Sequence, residues 1–282
     1  MNNETIEYGF GAEFSAPDLR DYKINKNSLL TEFPKEFELS NMPDIKCQGV
    51  INSCTAMAVT TVAEYYSIKQ HDIQELSAGF VYGNRVPPLH EKSGMNLKHT
   101  IAQFCKDGAP LQESFPFHYE VPAIITAVKN KKEKLAEEAK NFAFSTYVTV
   151  PTEQEIKTAL MYGAPVIISI YWPWDVKVNK GVIHSSRLND TKTGHCLVIY
   201  GWDERGWKVQ NSWGKVWGDN GRAIWPYDYP IRNAYAIFDT ENTPIDIKKP
   251  HKSKTKFGKW LVKLGNKIYS FFYWFVCIIK RR

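Results

Sequence analysis

The sequence predicts an α+β chain of two lobes, helical in its first half and built on a largely antiparallel sheet, or barrel, in its second. Three observations carry that expectation. Residues 55–69 hold no Gly or Pro and place Ala56, Val59, Ala63 and Tyr66 on one face, with Ala58, Val62 and Tyr65 on another. A helix apolar on two faces is a buried one. From Ser145 onward the helical period gives way to short apolar runs, among them 166–171 and 196–200, that read as buried strands. The chemistry-bearing residues are divided between the halves, with Cys54 in the first and His195 and Asn211 in the second. A site made from all three would lie in the cleft between the lobes.

Taken in order, residues 1–39 are mixed and turn-rich, an arm laid over the body. Residues 42–53 form a loop that Pro43 opens. Residues 76–82 read as a short second helix. Residues 95–105 read as a third, with Leu97, Ile101 and Phe104 in phase and Lys106-Asp107-Gly108 as its stop. Residues 121–142, with mixed charges at 129–134 and at Glu137 and Glu138, read as a solvated helix. Then come a strand at 145–150 and a helix at 152–162, capped by Thr152 with Glu155 three residues on. Strands follow at 166–171, 196–200, 207–210, 221–225 and 234–238. The helical lobe is expected at about 40–142 and the sheet lobe at about 143–240, in one domain of 1–240. A linker at 241–256 carries Pro244, Pro250 and several Lys, and 257–282 is a separate cationic, amphipathic and apolar tail.

Composition narrows the class. The chain has 282 residues, 43% of them hydrophobic and 14% aromatic, which suits a globular protein and not a disordered one. The net charge of +6 is unevenly placed: 248–282 holds eleven Lys or Arg and no acid, so the remainder is net negative. The basic character belongs to the tail and not to the body; charge alone would allow nucleic acid there, but the aromatic run 271–275 favours lipid or protein, and no nucleic acid partner is expected. The five cysteines are an odd number, and Cys47, Cys105 and Cys277 show no zinc spacing. No metal or cofactor is expected. A reducing compartment is expected, and Met1–Phe10 has neither the basic start nor the apolar core of a secretory signal. The cytoplasm is the compartment this favours. In the tail, the apolar run 268–279 is short of the roughly 20 residues that cross hydrocarbon. An interfacial helix on an anionic membrane surface is the favoured reading. A tail anchor with snorkelling lysines and a helix docked to a partner or to the body stay open, and the oligomeric state is not indicated.

The site chemistry follows from residue type. A thiol attacks a carbonyl as thiolate, and its pKa falls at a helix N-terminus beside an imidazolium. Cys54 starts the buried helix, with Asn52 and Ser53 before it as capping candidates. His195 would take and return the proton, and the Asn211 amide would fix the ring. An oxyanion needs preorganised donors, and the Gln48 amide and the Cys54 N–H are the candidates.

These residues stand in Gln48-Gly49-Val50-Ile51-Asn52-Ser53-Cys54, in Gly194-His195-Cys196, and in Asn211-Ser212-Trp213-Gly214 running on to Trp217-Gly218-Asp219-Asn220-Gly221. In order, spacing and flanking residues the chain resembles the papain-like (C1) cysteine peptidases over roughly 18–239. His195 lies 141 positions after Cys54, inside the roughly 130–150 of this family. Pro17-Asp18-Leu19-Arg20-Asp21-Tyr22 is similar to the opening of bacterial and viral members. The resemblance implies a two-lobed fold with the site in the cleft, and a cysteine endopeptidase that hydrolyses polypeptides through an acyl-enzyme. It also implies substrate contacts at Gly94, Met95, Ser169, Gly194, Cys196 and Trp213, the last shielding the His195–Asn211 bond. Departures lie beside the triad. Ile51 stands where the family has a disulfide cysteine, Ser93-Gly94-Met95 only echoes the glycine-rich substrate strand, and Cys196 replaces the usual small Ala. The run before Cys54 is too short for a long inhibitory prosegment, so some other restraint is expected. Two rivals stay open: acyl transfer to a non-protein amide, and a membrane-targeted binding module on a silent protease fold.

Overall fold

The computed structural model describes residues 8–18, 20–70, 74–85, 94–188, 191–238 and 245–248. The tail and most of the expected linker, together with His71 and Cys277, lie outside these residues. In chain order the elements are β1 (Ala12–Glu13), β2 (Lys23–Ile24), β3 (Phe37–Glu38), α1 (Cys54–Lys69), α2 (Ala78–Gly83), β4 (Met95–Asn96), α3 (Leu97–Asp107) and α4 (Val121–Lys140). After these come β5 (Thr146–Thr149), α5 (Glu153–Met161), β6 (Val166–Pro173), β7 (Lys177–Asn179), β8 (Val182–His184), β9 (Thr191–Asp203) and β10 (Gly206–Gln210). The last are β11 (Arg222–Pro226), β12 (Asn233–Phe238) and β13 (Ile247–Lys248).

The sheet runs β13-β2-β5-β12-β6-β9-β10-β11-β8-β7, with β3 paired to β9 off this path. Its pairs are antiparallel except β2 with β5 and β8 with β11. Alternation along the central strands builds two cores at once, because successive side chains leave a strand on opposite faces. Ile167, Cys196, Val198, Tyr235 and Ile237 join the cluster around α1 to α4. Ile168, Leu197, Ile199, Ala236 and Phe238 join a second cluster with α5 and the tryptophans Trp172, Trp202, Trp207, Trp213, Trp217 and Trp225. Helix α1 lies between lobe and sheet, with thirteen of its sixteen residues buried. Its apolar character on both faces is therefore used. At α5, Thr152 and Glu155 form the expected capping box, an arrangement in which the cap contributes about 1 kcal/mol.

Several expectations need correction. Neither Asn52 nor Ser53 caps α1: the Ser53 side chain makes no cap bond, and Asn52 Oδ1 instead accepts from Phe10 N at 3.2 Å. Helix α2 starts at Ala78 and not at Leu76, because Ser77 Oγ caps it by accepting from Phe80 N. Met95 and Asn96 precede their helix as β4, drawn into extended backbone by parallel pairing with β1. Helix α4 is not solvated all round, since Val121, Ile124, Val128 and Ala139 are buried against its neighbours. Ile247–Lys248 is not free linker, for it pairs antiparallel with β2, and Asn25 N donates to Asp246 O at 2.8 Å.

Candidate active site

Cys54 is the first residue of α1, so the aligned peptide dipoles point their positive end at its sulfur. The loop before it is held from behind. Lys46 pairs with Glu64 of α1 at 2.6 Å, both side chains nearly sealed from water, and Glu64 also accepts from Leu76 N. His195 comes from β9 and Asn211 follows β10, strands that pair antiparallel, and this brings two residues sixteen positions apart side by side. His195 Nε2 donates to Asn211 Oδ1 at 2.8 Å, and Ser212 N donates to the same oxygen at 2.7 Å. That bond fixes the tautomer and turns Nδ1 toward the thiol. The Trp213 ring lies 4.5 Å from the imidazole, and Trp172 and Phe10 meet it edge-on at 5.2 and 5.7 Å. Cys54 and His195 are both fully buried.

Burial alone would push the Cys54 thiol up. The neighbouring Cys196 and His195 side chains and the imidazole charge outweigh it and hold the thiol well below its usual range. Three buried polar atoms here, Ser53 Oγ, His195 Nδ1 and Asn211 Nδ2, meet no partner at full hydrogen-bond geometry. Each such atom costs about 1–3 kcal/mol, a sign of a site shaped for reaction more than for stability. Gln48 is placed as the sequence suggests but is differently engaged. Its Nε2 donates to Ile51 O at 2.7 Å and its Oε1 accepts from Ser212 Oγ at 2.6 Å. One amide proton is thus committed to Ile51 O.

The remaining sequence candidates divide. Cys196 is buried against Thr55 of α1, whereas Gly94, Met95, Gly194 and Trp213 touch residues 9–12 of the N-terminal arm. Ser169 is fully buried on β6, with its hydroxyl bonded to Asn233 Oδ1 at 3.1 Å.

The arm was expected over the body, and what the sequence reading missed is its course along the site. Residues 8–13 run through the cleft as a strap. Gly9 N donates to Gly49 O at 2.8 Å, Gly11 N to Gly194 O at 3.0 Å, Met95 N to Gly11 O at 2.7 Å, and Trp213 Nε1 to Gly9 O at 3.1 Å. Tyr8 stacks on Trp213 with centroids 4.6 Å apart. The fit admits only glycine on the facing walls: a Cβ at Gly94 would lie 1.8 Å from Gly11 O, and one at Gly194 1.9 Å from Ala12 O. Beyond the strap the anchor continues through Asn233, which both donates to and accepts from the Ser15 backbone, and through Lys98, which pairs with Asp18 and Asp21. A cavity of about 800 Å³ remains beside it, lined by Tyr8, Phe10, Trp172, Trp174, Trp213 and Val216 among others. The one sequence clue was Gly9-Phe10-Gly11, two glycines where a backbone can be approached closely.

The papain family cysteine protease profile matches residues 33–225, more than half of the chain. An uncharacterised peptidase C1-like protein of Acanthamoeba polyphaga mimivirus is 26% identical over 264 residues, covering 81% of this chain and 85% of that relative. A viral cathepsin of Adoxophyes honmai nucleopolyhedrovirus is 26% identical over 67% of this chain, which spans 56% of that relative. Among solved structures, xylellain, a cysteine protease from Xylella fastidiosa, is similar with a TM-score of 0.69 at 23% identity, over 84% of this chain and 98% of that one. At that identity the likeness speaks for the fold alone.

Proposed function

Because the chain belongs to the papain family of cysteine proteases, we propose that Cys54 is its nucleophile, His195 its base and then acid, and Asn211 the residue that orients the ring. The Cys54 thiolate attacks a peptide carbonyl, and the oxygen takes up charge facing the Cys54 N–H and the second Gln48 amide proton. The C–N bond then breaks, and the imidazolium gives its proton to the departing amine. Water, deprotonated by His195, attacks the thioester and releases the acid. The carrying observation is the buried His195–Asn211 bond of 2.8 Å beside a helix-start thiol held low.

A readout that needs no known substrate is alkylation of Cys54 by iodoacetamide, followed by mass spectrometry across pH. Because the thiol is held low, its reactivity is expected to persist on the acid side, where an ordinary thiol has already lost its thiolate. A profile that follows an unperturbed thiol would contradict the reading.

The strap is read as the restraint on this site. Since His195 must protonate the departing amine, the leaving-group half of a substrate lies along Trp172 and Trp213. Tyr8–Phe10 occupies that half and Ala12–Glu13 lies on β4, so the strap runs opposite to a substrate and presents no carbonyl for attack in the productive sense.

The basic tail, 257–282, is proposed to rest on anionic lipid, on its charge and aromatic content alone. The full chain is expected to co-sediment with phosphatidylserine vesicles and a chain ending at 256 is not. Equal sedimentation would refute it.

A further inference from the structure

The arm leaves the cleft between two asparagines, one from each lobe. Asn233, the first residue of β12, engages the backbone of Ser15 twice: Ser15 N donates to Asn233 Oδ1 at 3.0 Å, and Asn233 Nδ2 donates to Ser15 O at 2.9 Å. From the other lobe, Asn96 Nδ2 donates to Phe14 O at 3.2 Å, and Asn96 Oδ1 accepts from Ser15 Oγ at 2.8 Å. The Asn233 contact reads backbone alone. The N–H and C=O of one extended residue point the same way, and a single carboxamide matches both.

Sheet register fixes where this clamp stands. Asn233 pairs with Ser169 on β6, and Ser169 pairs with Cys196 on β9, the residue after His195. Directly opposed residues share a face, and Cys196 and Tyr235 belong to the cluster that contains α1. Asn233 therefore lies on the face of the sheet that meets the helical lobe. Two strand spacings of roughly 4.8 Å put it about 10 Å from Cys196, the reach of two or three extended residues. The strand order β12-β6-β9-β10 sets Asn233 and Asn211, which follows β10, on opposite sides of β9. The departing amine lies on the Asn211 and Trp213 side, so Asn233 stands along the acyl half of a substrate.

We propose that Asn233 is a substrate-binding residue, a clamp on the backbone of the second or third residue before the bond to be cut, held by Ser15 of the arm until the polypeptide substrate takes its place. This rests on the assignment of Cys54 as nucleophile and of the arm as restraint. A substrate runs opposite to the arm, which exchanges the places of N–H and C=O. The clamp tolerates that exchange. A carboxamide turned over about its last bond exchanges its own oxygen and nitrogen. The Ser169 hydroxyl, which donates to Asn233 Oδ1 at 3.1 Å with the arm in place, then accepts from Nδ2. Asn96 has no such freedom, because its Oδ1 caps α3 by accepting from His99 N at 3.1 Å. Asn233 is thus the member of the pair that serves both chains, and Asn96 holds the arm.

The test uses acetyl-tetra-alanine aldehyde on the full chain. The Cys54 thiol adds across the aldehyde, forming the S–C bond and passing its proton to the oxygen, and this fixes the peptide's register. Versions N-methylated at one amide at a time are compared by calorimetry in the parent and in Asn233→Ala. The ratio of methylated to unmethylated dissociation constants cancels any effect of the variant on the arm. At the second or third residue, methylation is expected to weaken binding roughly tenfold more in the parent than in Asn233→Ala. An equal penalty in both chains at every position, or an aldehyde held by neither, would overturn the proposal. A second readout needs no variant. The bound aldehyde is expected to raise hydrogen exchange at the Ser15 amide, which Asn233 otherwise protects, and unchanged exchange there would also overturn it. An aldehyde that binds Cys54→Ala as tightly as the parent would instead sink the assignment of the nucleophile, so the two failures are separable.

Discussion

Replacing Cys54 by Ala is expected to lower peptide turnover by roughly 10⁴-fold or more, with the fold retained. The size follows from the roles. Without the sulfur there is no thioester path, and His195 is left with no proton to manage, so what remains is transition-state binding by the oxyanion donors. The fold should survive because the side chain is small, and α1 is held mainly by the burial of Ala56, Val59, Val62 and Tyr65. Circular dichroism and the unfolding midpoint would show that the loss is chemical. Turnover unchanged in a folded Cys54→Ala chain would remove the thiol from the mechanism.

The second large effect is a gain. Gly11→Val is expected to raise turnover by roughly thirtyfold. Gly11 has φ +113, a conformation that β-branched residues avoid, and a Cβ there would lie 2.6 Å from Asn52 O. The strap must shift, and the bonds it loses first are Gly11 N to Gly194 O and Met95 N to Gly11 O. At about 0.5–1.5 kcal/mol each, two bonds are worth about 2 kcal/mol, which is that factor in the open population. Gly11 contributes no group to the reaction, so only release of the strap explains faster turnover. A Gly11→Val chain no faster than the parent would show that the strap is packing and not restraint.

How much of this was legible follows from what each residue is asked to do. Cys54, His195 and Asn211 could be singled out because the chemistry fixes residue type, and the antiparallel β9–β10 pairing turns the spacing of sixteen between the last two into contact. The alternating strands and the buried α1 were found because two-faced burial leaves its period in the sequence. The strap was not found, because it is bound through the amides of Gly9 and Gly11, groups that every residue carries. Asn52 read as a cap by local rule, yet its oxygen is claimed by Phe10 N, forty-two residues away, a tertiary partner that no window can show. The same limit hid β4, which is extended only because β1 lies beside it. For Gln48 the residue was legible and its direction was not, since the bonds to Ile51 O and Ser212 Oγ decide where the amide points. Ser169 failed for the plainest reason: its register opposite Cys196 on β6 leaves it fully buried, its hydroxyl bonded to Asn233.

The most direct test combines the two variants. Turnover of a fluorogenic peptide pool would be compared in the parent, in Gly11→Val, and in Gly11→Val with Cys54→Ala. A low rate is expected in the parent, a raised one in Gly11→Val and none above background in the double variant. A raised rate that persists without Cys54 would contradict that expectation.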